Sequence, residues 1–269
     1  MSTSRWVKTL IISQAQVSMT YKVSFFISMF VFIFPLLAKI MLWKAIYGAQ
    51  PAGTTMGGFD MKDMVTYYFV FQMVFELTWC FIDGHEIIPA IVQGGLTPNL
   101  MLPVSYIKYV VAKYFAYMFV PRFFTTLALF PPLMVCFSSD ISLHLTAASV
   151  LLGIVSLIMG CVFAFAYHLC VGLAAFWLEN RPPFSDLMVM FLGGMIIPID
   201  LMPAWLQRIN VFLPFQYHIY LPTKIIMGKM SVTEALAGLA IQALWVMALI
   251  FGVNVLWRRG VKRYQAYGG

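Results

Sequence analysis

Two ionisable side chains interrupt long apolar runs of this sequence. Glu76 lies within the run 64–82, and Arg122 lies within the run 110–137. Counted inward from Asp83 and Lys113, Glu76 is seven residues deep and Arg122 nine, or about 10 Å and 13 Å at about 1.5 Å per helical residue. Charges buried this way are costly and are functional candidates by default. The pattern predicts an ion pair between Glu76 and Arg122 that either orients two helices or faces a substrate.

Single residues elsewhere could also carry chemistry. His168 lies about ten residues inside an apolar run that ends at Leu178; an interior hydrogen-bonded histidine is expected, and a substrate or proton role is the alternative. Asp200 lies between two prolines, so it either caps a helix or is solvated, or it belongs to a gate. Four apolar residues nearby are candidates to line a cavity or gate: Phe191, Met195, Phe212 and Phe215.

Several enzymatic sites are excluded by their missing motifs. No G-x-x-x-x-G-K-[ST] loop occurs, so no phosphate cradle is predicted and ATP chemistry would have to come from another chain. His85 and Glu86 begin a zinc-protease pattern, but its second ligand position is Pro89, which has no side-chain donor. No G-x-S-x-G nucleophile pattern and no C-x-x-C pair occur either. The sequence therefore predicts no catalytic residue and no metal ligand.

The composition is that of a membrane protein. Of the 269 residues, 62% are hydrophobic and only 10% are charged, against about 25% charged in soluble domains. A soluble enzyme is therefore excluded. The formal charge of +7 fits basic ends facing an anionic lipid leaflet better than it fits nucleic-acid binding.

Uncharged runs predict an all-α integral membrane protein that forms a single domain over residues 1–269. A bilayer core needs about 20 apolar residues per helix. Residues 4–22 are amphipathic and should form a helix in the headgroup layer of the membrane. The alternative is a polar segment that only leads into the first span. The segment 203–228 is rich in proline and aromatic residues and should be re-entrant between the fifth and sixth spans. The six transmembrane helices are expected at 23–47, 64–83, 110–137, 147–177, 185–200 and 234–257.

The distribution of basic residues predicts the orientation. Six spans place both termini on one side, which then carries ten Lys and Arg residues against six on the other. Because basic loops favour the cytoplasm, both termini are expected there.

The turn 86–103 is the most informative segment. Gly94 and Gly95 permit a tight turn, Thr97 could cap a short helix and Pro98 suits its first turn. The helix would be partly apolar and exposed, which indicates contact with lipid or with a partner protein.

This turn resembles the permease subunit of a type-2 ATP-binding-cassette transporter, the mostly exporting class. The resemblance rests on Glu86…Ile91-x-x-Gly94-Gly95-Leu96-Thr97-x-x-Leu100-x-x-Pro103. A second stretch adds to it: Pro198-Ile-Asp200-Leu-Met-Pro203-x-Trp205…Leu213-Pro214-Phe215…Pro222…Gly228. Together with the six spans, it covers nearly the whole chain.

The resemblance implies a permease without a cofactor of its own, in a bacterial inner membrane. Its partners would be cytoplasmic ATPase subunits carrying ATP and Mg²⁺, and a second permease, identical or similar. The substrate would be hydrophobic, amphipathic or lipid-like. The segment 86–103 would be the coupling helix, and the loop 179–183 a second contact. ATPase coupling would then involve Glu86, Ile91, Gly94, Gly95, Leu96, Thr97, Leu100 and Arg181.

Two other classes of function remain open from the residues alone. An ion-driven transporter or channel could use Glu76, Arg122, His168 and Asp200 as a charge pathway. An intramembrane lipid enzyme would need a convergent catalytic set, and the sequence offers only scattered single residues.

Overall fold

The computed structural model describes residues 22–101, 105–178 and 180–264. The predicted interfacial helix 4–22 lies outside this range except for Lys22, as does the 102–103 end of the predicted coupling segment. Within the described residues the secondary structure is helical, with one isolated β-bridge between Met56 and Phe59 and no strand. The predicted all-α class is confirmed for this part of the chain.

Twelve α-helices are numbered here in chain order. The π-helical turn Phe115–Phe119 joins two α-helices into one long helix, whereas the π-helical turn Asp83–Ile87 is separated from the preceding long helix by the non-helical residues 79–81. Two 3₁₀ turns occupy Ile199–Leu201 and Phe215–Tyr217. The α-helices within the described residues are α1 Lys22–Gly48, α2 Met61–Thr78, α3 Ile88–Val92, α4 Leu96–Leu100, α5 Tyr106–Tyr114, α6 Val120–Cys136, α7 Ala147–Leu173, α8 Ala175–Leu178, α9 Ser185–Leu192, α10 Ala204–Asn210, α11 Tyr220–Ile226 and α12 Val232–Arg263.

Within the described residues, four segments that are helical over most of their length are long and apolar enough to cross a bilayer, the first of them being interrupted at 79–81. They are Met61–Val92, Tyr106–Cys136, Ala147–Leu178 and Val232–Arg263, each of 31 or 32 residues, or about 47 Å at about 1.5 Å per residue. The chain is therefore a multi-pass membrane protein. The count of six spans stays a prediction. Helix α1, with 27 residues, overlaps the first predicted span.

The expected fifth span differs from the structure. Helix α9 ends at Leu192 after eight residues, about 12 Å, so 185–200 is not a continuous spanning helix. The chain turns at Gly194, whose φ of +79° is a backbone conformation that glycine adopts readily. The helix thus ends before Pro198, which lies inside the expected span.

Tyrosines of α2 stabilise this unwound segment. The Tyr67 hydroxyl donates a hydrogen bond of 2.8 Å to the carbonyl of Gly194, and the Tyr68 hydroxyl donates one of 3.0 Å to that of Ile196. Buried backbone carbonyls without helical partners need such donors. The sequence of α9 alone does not contain this information.

Two helices organise the bundle. Helix α2 is largely buried and packs against α1, α6, α7 and α11, while α7 packs most extensively against α12 and α11. Side-chain capping boxes start α2 at Asp60, α7 at Thr146 and α12 at Ser231. Lys113, Arg181 and the basic residues of 258–263 lie at one end of the bundle, which we call the basic end. All three caps lie at the opposite end.

Candidate functional site

A cavity of about 200 Å³ lies beside the end of α2. Phe75 at the end of α2, together with Trp79 and Phe81 just after it, supplies the aromatic walls. Met190 of α9 and Met195 in the following turn supply apolar ones. The polar lining includes His168 of α7, Asp186 of α9 and His218, which follows the second 3₁₀ turn. A mainly apolar pocket with a few convergent polar groups is the usual form of a small-molecule site.

An ion-pair cluster forms the wall of the cavity toward the basic end. The Asp83 carboxylate is fully buried and accepts from Arg181 Nε at 2.5 Å, and His168 Nδ1 lies 3.1 Å from its other oxygen. Arg181 also pairs with Asp186, and its guanidinium lies 4.6 Å from the ring centre of Phe81. The cluster therefore ties the second, fourth and fifth predicted spans together.

Arg181 is held as a cation by this cluster. Partial burial disfavours its charged form, but hydrogen bonding to Asp186 and the charge of Asp83 outweigh that effect and raise its pKa. The contact between Arg181 and an ATPase stays a prediction, and in this structure the guanidinium pairs with Asp83 and Asp186. His168, expected to be an interior hydrogen-bonded histidine, does occupy a buried position against Asp83.

Glu76 and Arg122 are brought together by the packing of α2 against α6. Arg122 Nη1 donates to Glu76 Oε2 at 2.6 Å. Gln72 donates to the other oxygen of Glu76 at 3.2 Å, and the guanidinium lies 5.3 Å from the ring centre of Trp79. Because Trp79 also lines the cavity, the pair flanks this site.

Asp200 lies in a separate cluster at the opposite end. It accepts a hydrogen bond of 2.6 Å from the Tyr220 hydroxyl and pairs with Lys224 at 3.1 Å. It therefore fastens the 3₁₀ turn Ile199–Leu201 to α11, and it is neither a free solvated residue nor the N-cap of a helix. Its expected role in a gate stays a prediction.

The four apolar candidates separate into two groups. Met195 lines the cavity, and Phe215 packs edge-on against Tyr167 at 6.0 Å between ring centres. Phe191 and Phe212 are exposed on the outer surface and do not line this cavity. Of the four residues, this cavity is lined by Met195, and the expected role of Phe191, Phe212 and Phe215 in a cavity or gate stays a prediction.

The turn at the basic end has the expected tight geometry but different contacts. Gly94 has a φ of +78°. Helix α4 starts after Gly95, so the predicted cap by Thr97 is wrong; Thr97 lies inside the helix, and its hydroxyl is 3.2 Å from that of Tyr264. Glu86 pairs with Lys113 at 2.6 Å, which ties the turn to α5.

Burial divides the apolar residues of this turn. Ile91 and Leu96 have buried side chains, so they pack within the chain and cannot be direct contacts of an ATPase in this conformation. Val92, Leu100 and Met101 are exposed, Met101 at 82%. These three residues form what we call the apolar turn surface.

The sequence reasoning missed three residues of the cavity and its wall. Asp83 was used only to mark the depth of Glu76, and neither Asp186 nor His218 was a candidate. Asp83 directly follows the mainly apolar run 64–82, and this position was a usable signal, since a carboxylate that becomes buried there needs a partner.

Comparison with known proteins gives one match over almost the whole chain. A family model described as ABC-2 family transporter protein matches residues 13–268 of the 269. No curated protein and no solved structure gives a significant match.

Proposed function

The chain belongs to the ABC-2 family transporter proteins, and on that premise we propose that it is the permease subunit of an ATP-driven exporter of a hydrophobic, amphipathic or lipid-like substrate. The observation that carries the proposal is the family match, which takes in the spans, the turn at the basic end and the segment 203–228. ATP and Mg²⁺ would be bound by separate ATPase subunits, because this sequence has no phosphate-binding loop.

The basic end would face the cytoplasm of a bacterial inner membrane. Lys108, Lys113 and Arg181 lie there together with the basic residues of the last turns of α12, in agreement with the preference of basic loops for the cytoplasm. Both termini would then be cytoplasmic.

The apolar turn surface would receive the ATPase. Val92, Leu100 and Met101 lie exposed at the cytoplasmic end in this orientation, and the Glu86–Lys113 pair joins the turn rigidly to α5. A movement of the turn would thus be transmitted directly to the two spans that it connects. A second permease, identical or similar, would complete the pathway for the substrate.

The cavity would be a substrate position within one permease. Its wall toward the basic end is the Asp83–His168–Arg181–Asp186 cluster, so movement of the loop that carries Arg181 would change access to the cavity from that end. Segment 203–228 would lie within the outer half of the membrane and close the exit.

Co-purification from native membranes tests the proposal. We expect a stoichiometric soluble ATPase to accompany the wild-type chain in mild detergent, and the double variant Leu100→Asp, Met101→Asp to lose it at unchanged yield of the chain. Val232→Asp is the matched control, because this residue is exposed at the opposite end and an acid in the first turn of α12 suits the helix dipole.

The same preparation also identifies the second permease, and it can contradict the proposal. One permease species would indicate a homodimer, and a second species a heterodimer. If several gentle extractions yield no ATPase and an imposed ion gradient alone drives transport, the chain is instead a secondary transporter.

A further inference from the structure

His218 is a buried polar side chain without a well-formed hydrogen bond. Its side chain is 95% buried, its exposed fraction being 5%, and neither ring nitrogen has a hydrogen-bond partner, although the backbone of Thr78 lies close to the ring. Leaving a buried polar group unpaired costs about 1–3 kcal/mol. Such a group in a native site therefore calls for an explanation.

The position of His218 is enforced by its neighbours. Its ring stacks on Phe163 of α7, with 5.6 Å between ring centres and an interplanar angle of 17°. Its carbonyl oxygen lies against Gly160, where a Cβ would be only 2.7 Å away. Phe163 thus holds the ring and Gly160 admits the backbone, and His218 is one of the residues that line the cavity.

No other residue with unpaired buried side-chain polar atoms in the described part of the chain lines this cavity. The others are Tyr106, Tyr114 and Asn210, all outside its lining. Among the other ionisable groups of the lining, His168 pairs with Asp83 and Asp186 with Arg181, and the Cys80 thiol is only a weak hydrogen-bond donor. His218 therefore offers the cavity its unused hydrogen-bonding capacity.

The shape and chemistry of the walls restrict what could use that capacity. At about 200 Å³, the space exceeds the cavity of about 150 Å³ that holds benzene in an engineered protein, so a bicyclic ring system is of suitable size. Phe75, Trp79 and Phe81 favour an aromatic or flat apolar body. One polar atom on such a body would meet the imidazole.

We propose that this cavity binds an aromatic, otherwise apolar small molecule through a single hydroxyl or amine that hydrogen-bonds His218. The inference rests on the proposed function in one respect only, namely that this class of ligand is the transported substrate. Binding itself requires neither ATP nor a partner, so it is tested separately from the identification of an ATPase. His218 would then be the residue that selects among apolar substrates of similar size.

The test compares two probes that differ by one hydroxyl, 2-naphthol and naphthalene. Binding is measured by equilibrium dialysis against the full chain in lipid nanodiscs, with empty nanodiscs subtracted. We expect the wild-type chain to bind 2-naphthol about fivefold more tightly, since one hydrogen bond contributes about 1 kcal/mol. His218→Phe keeps a ring for Phe163 and should abolish the preference, whereas His218→Gln should retain part of it.

A matched histidine and a wild-type measurement complete the design. His144→Phe makes the same change at an exposed site and should leave the preference intact. A diazirine derivative of 2-naphthol should crosslink the wild-type chain within 75–81 or 186–195, or at His168 or His218, all of which contribute to the lining, and this keeps the test decisive if His218→Phe does not fold. Absence of binding above empty nanodiscs, an unchanged preference in His218→Phe, or crosslinks only elsewhere would overturn the proposal.

Discussion

The Glu76–Arg122 ion pair should tolerate exchange of its two charges but not the loss of either one. The pair is 2.6 Å long and joins α2 to α6, with side chains 15% and 35% exposed. It lies inside two segments that are long enough to span the membrane, so we expect little bulk water around its exposed fraction. Water therefore does little to screen a charge that loses its partner.

The expected magnitude follows from this geometry. Two unit charges about 4 Å apart attract by about 4 kcal/mol at an effective dielectric constant of about 20, and desolvation offsets part of that gain. We expect Glu76→Gln or Arg122→Gln to lower the free energy of unfolding by about 3 kcal/mol each. The coupling energy in the double-mutant cycle should be about 2 kcal/mol.

Equilibrium unfolding in mixed detergent micelles measures these values. Glu76→Arg should destabilise the chain beyond 3 kcal/mol, because it places two cations together, and adding Arg122→Glu should recover most of the loss. The Lys44–Asp140 pair is the matched control: it is 2.7 Å long but lies at the end of the bundle, so its coupling should stay below about 1 kcal/mol. A Glu76–Arg122 coupling below about 0.5 kcal/mol, or an exchanged pair no more stable than Glu76→Arg alone, would refute the assignment.

Two further predictions concern close packing by glycine. Gly160→Ala should lower the free energy of unfolding by about 1–2 kcal/mol despite its better helix propensity, because the new Cβ would meet the backbone oxygen of His218 at 2.7 Å. Gly252→Ala, whose Cβ would meet only Cys170 Sγ at an ordinary 3.5 Å, should be neutral or stabilising; equal losses at both sites would contradict this explanation. Gly194→Ala should cost at least about 1 kcal/mol, because its φ is +79° and its Cβ would lie 2.8 Å from the Tyr67 hydroxyl. Combining Gly194→Ala with Tyr67→Phe should recover the steric part of that loss but not the backbone part, as measured by thermal unfolding. Full recovery would show that the positive φ is not costly.

The sequence alone determined the class of this protein and much of its organisation. A chain with 10% charged residues cannot cover a water-facing surface, and long uncharged runs can satisfy their backbone groups in lipid only as helices. Helical rise placed Glu76 and Arg122 at similar depths, and their side chains do meet, although residues 79–81 interrupt the helix between Glu76 and Asp83. The adjacent glycines Gly94 and Gly95 also predicted the position of the tight turn.

Only the tertiary structure decided what the residues of different helices do to one another. The end of α9 at Leu192 depends on hydroxyls that Tyr67 and Tyr68 supply from another helix. Likewise, Ile91 and Leu96 proved buried while Leu100 and Met101 proved exposed, a distinction set by how the turn packs on its neighbours. Asp83 and Arg181 are 98 positions apart, and His218 reaches the cavity only because Gly160 lets its backbone approach α7. Such pairings arise from the packing of distant segments, and the local sequence carries no periodic signal for them.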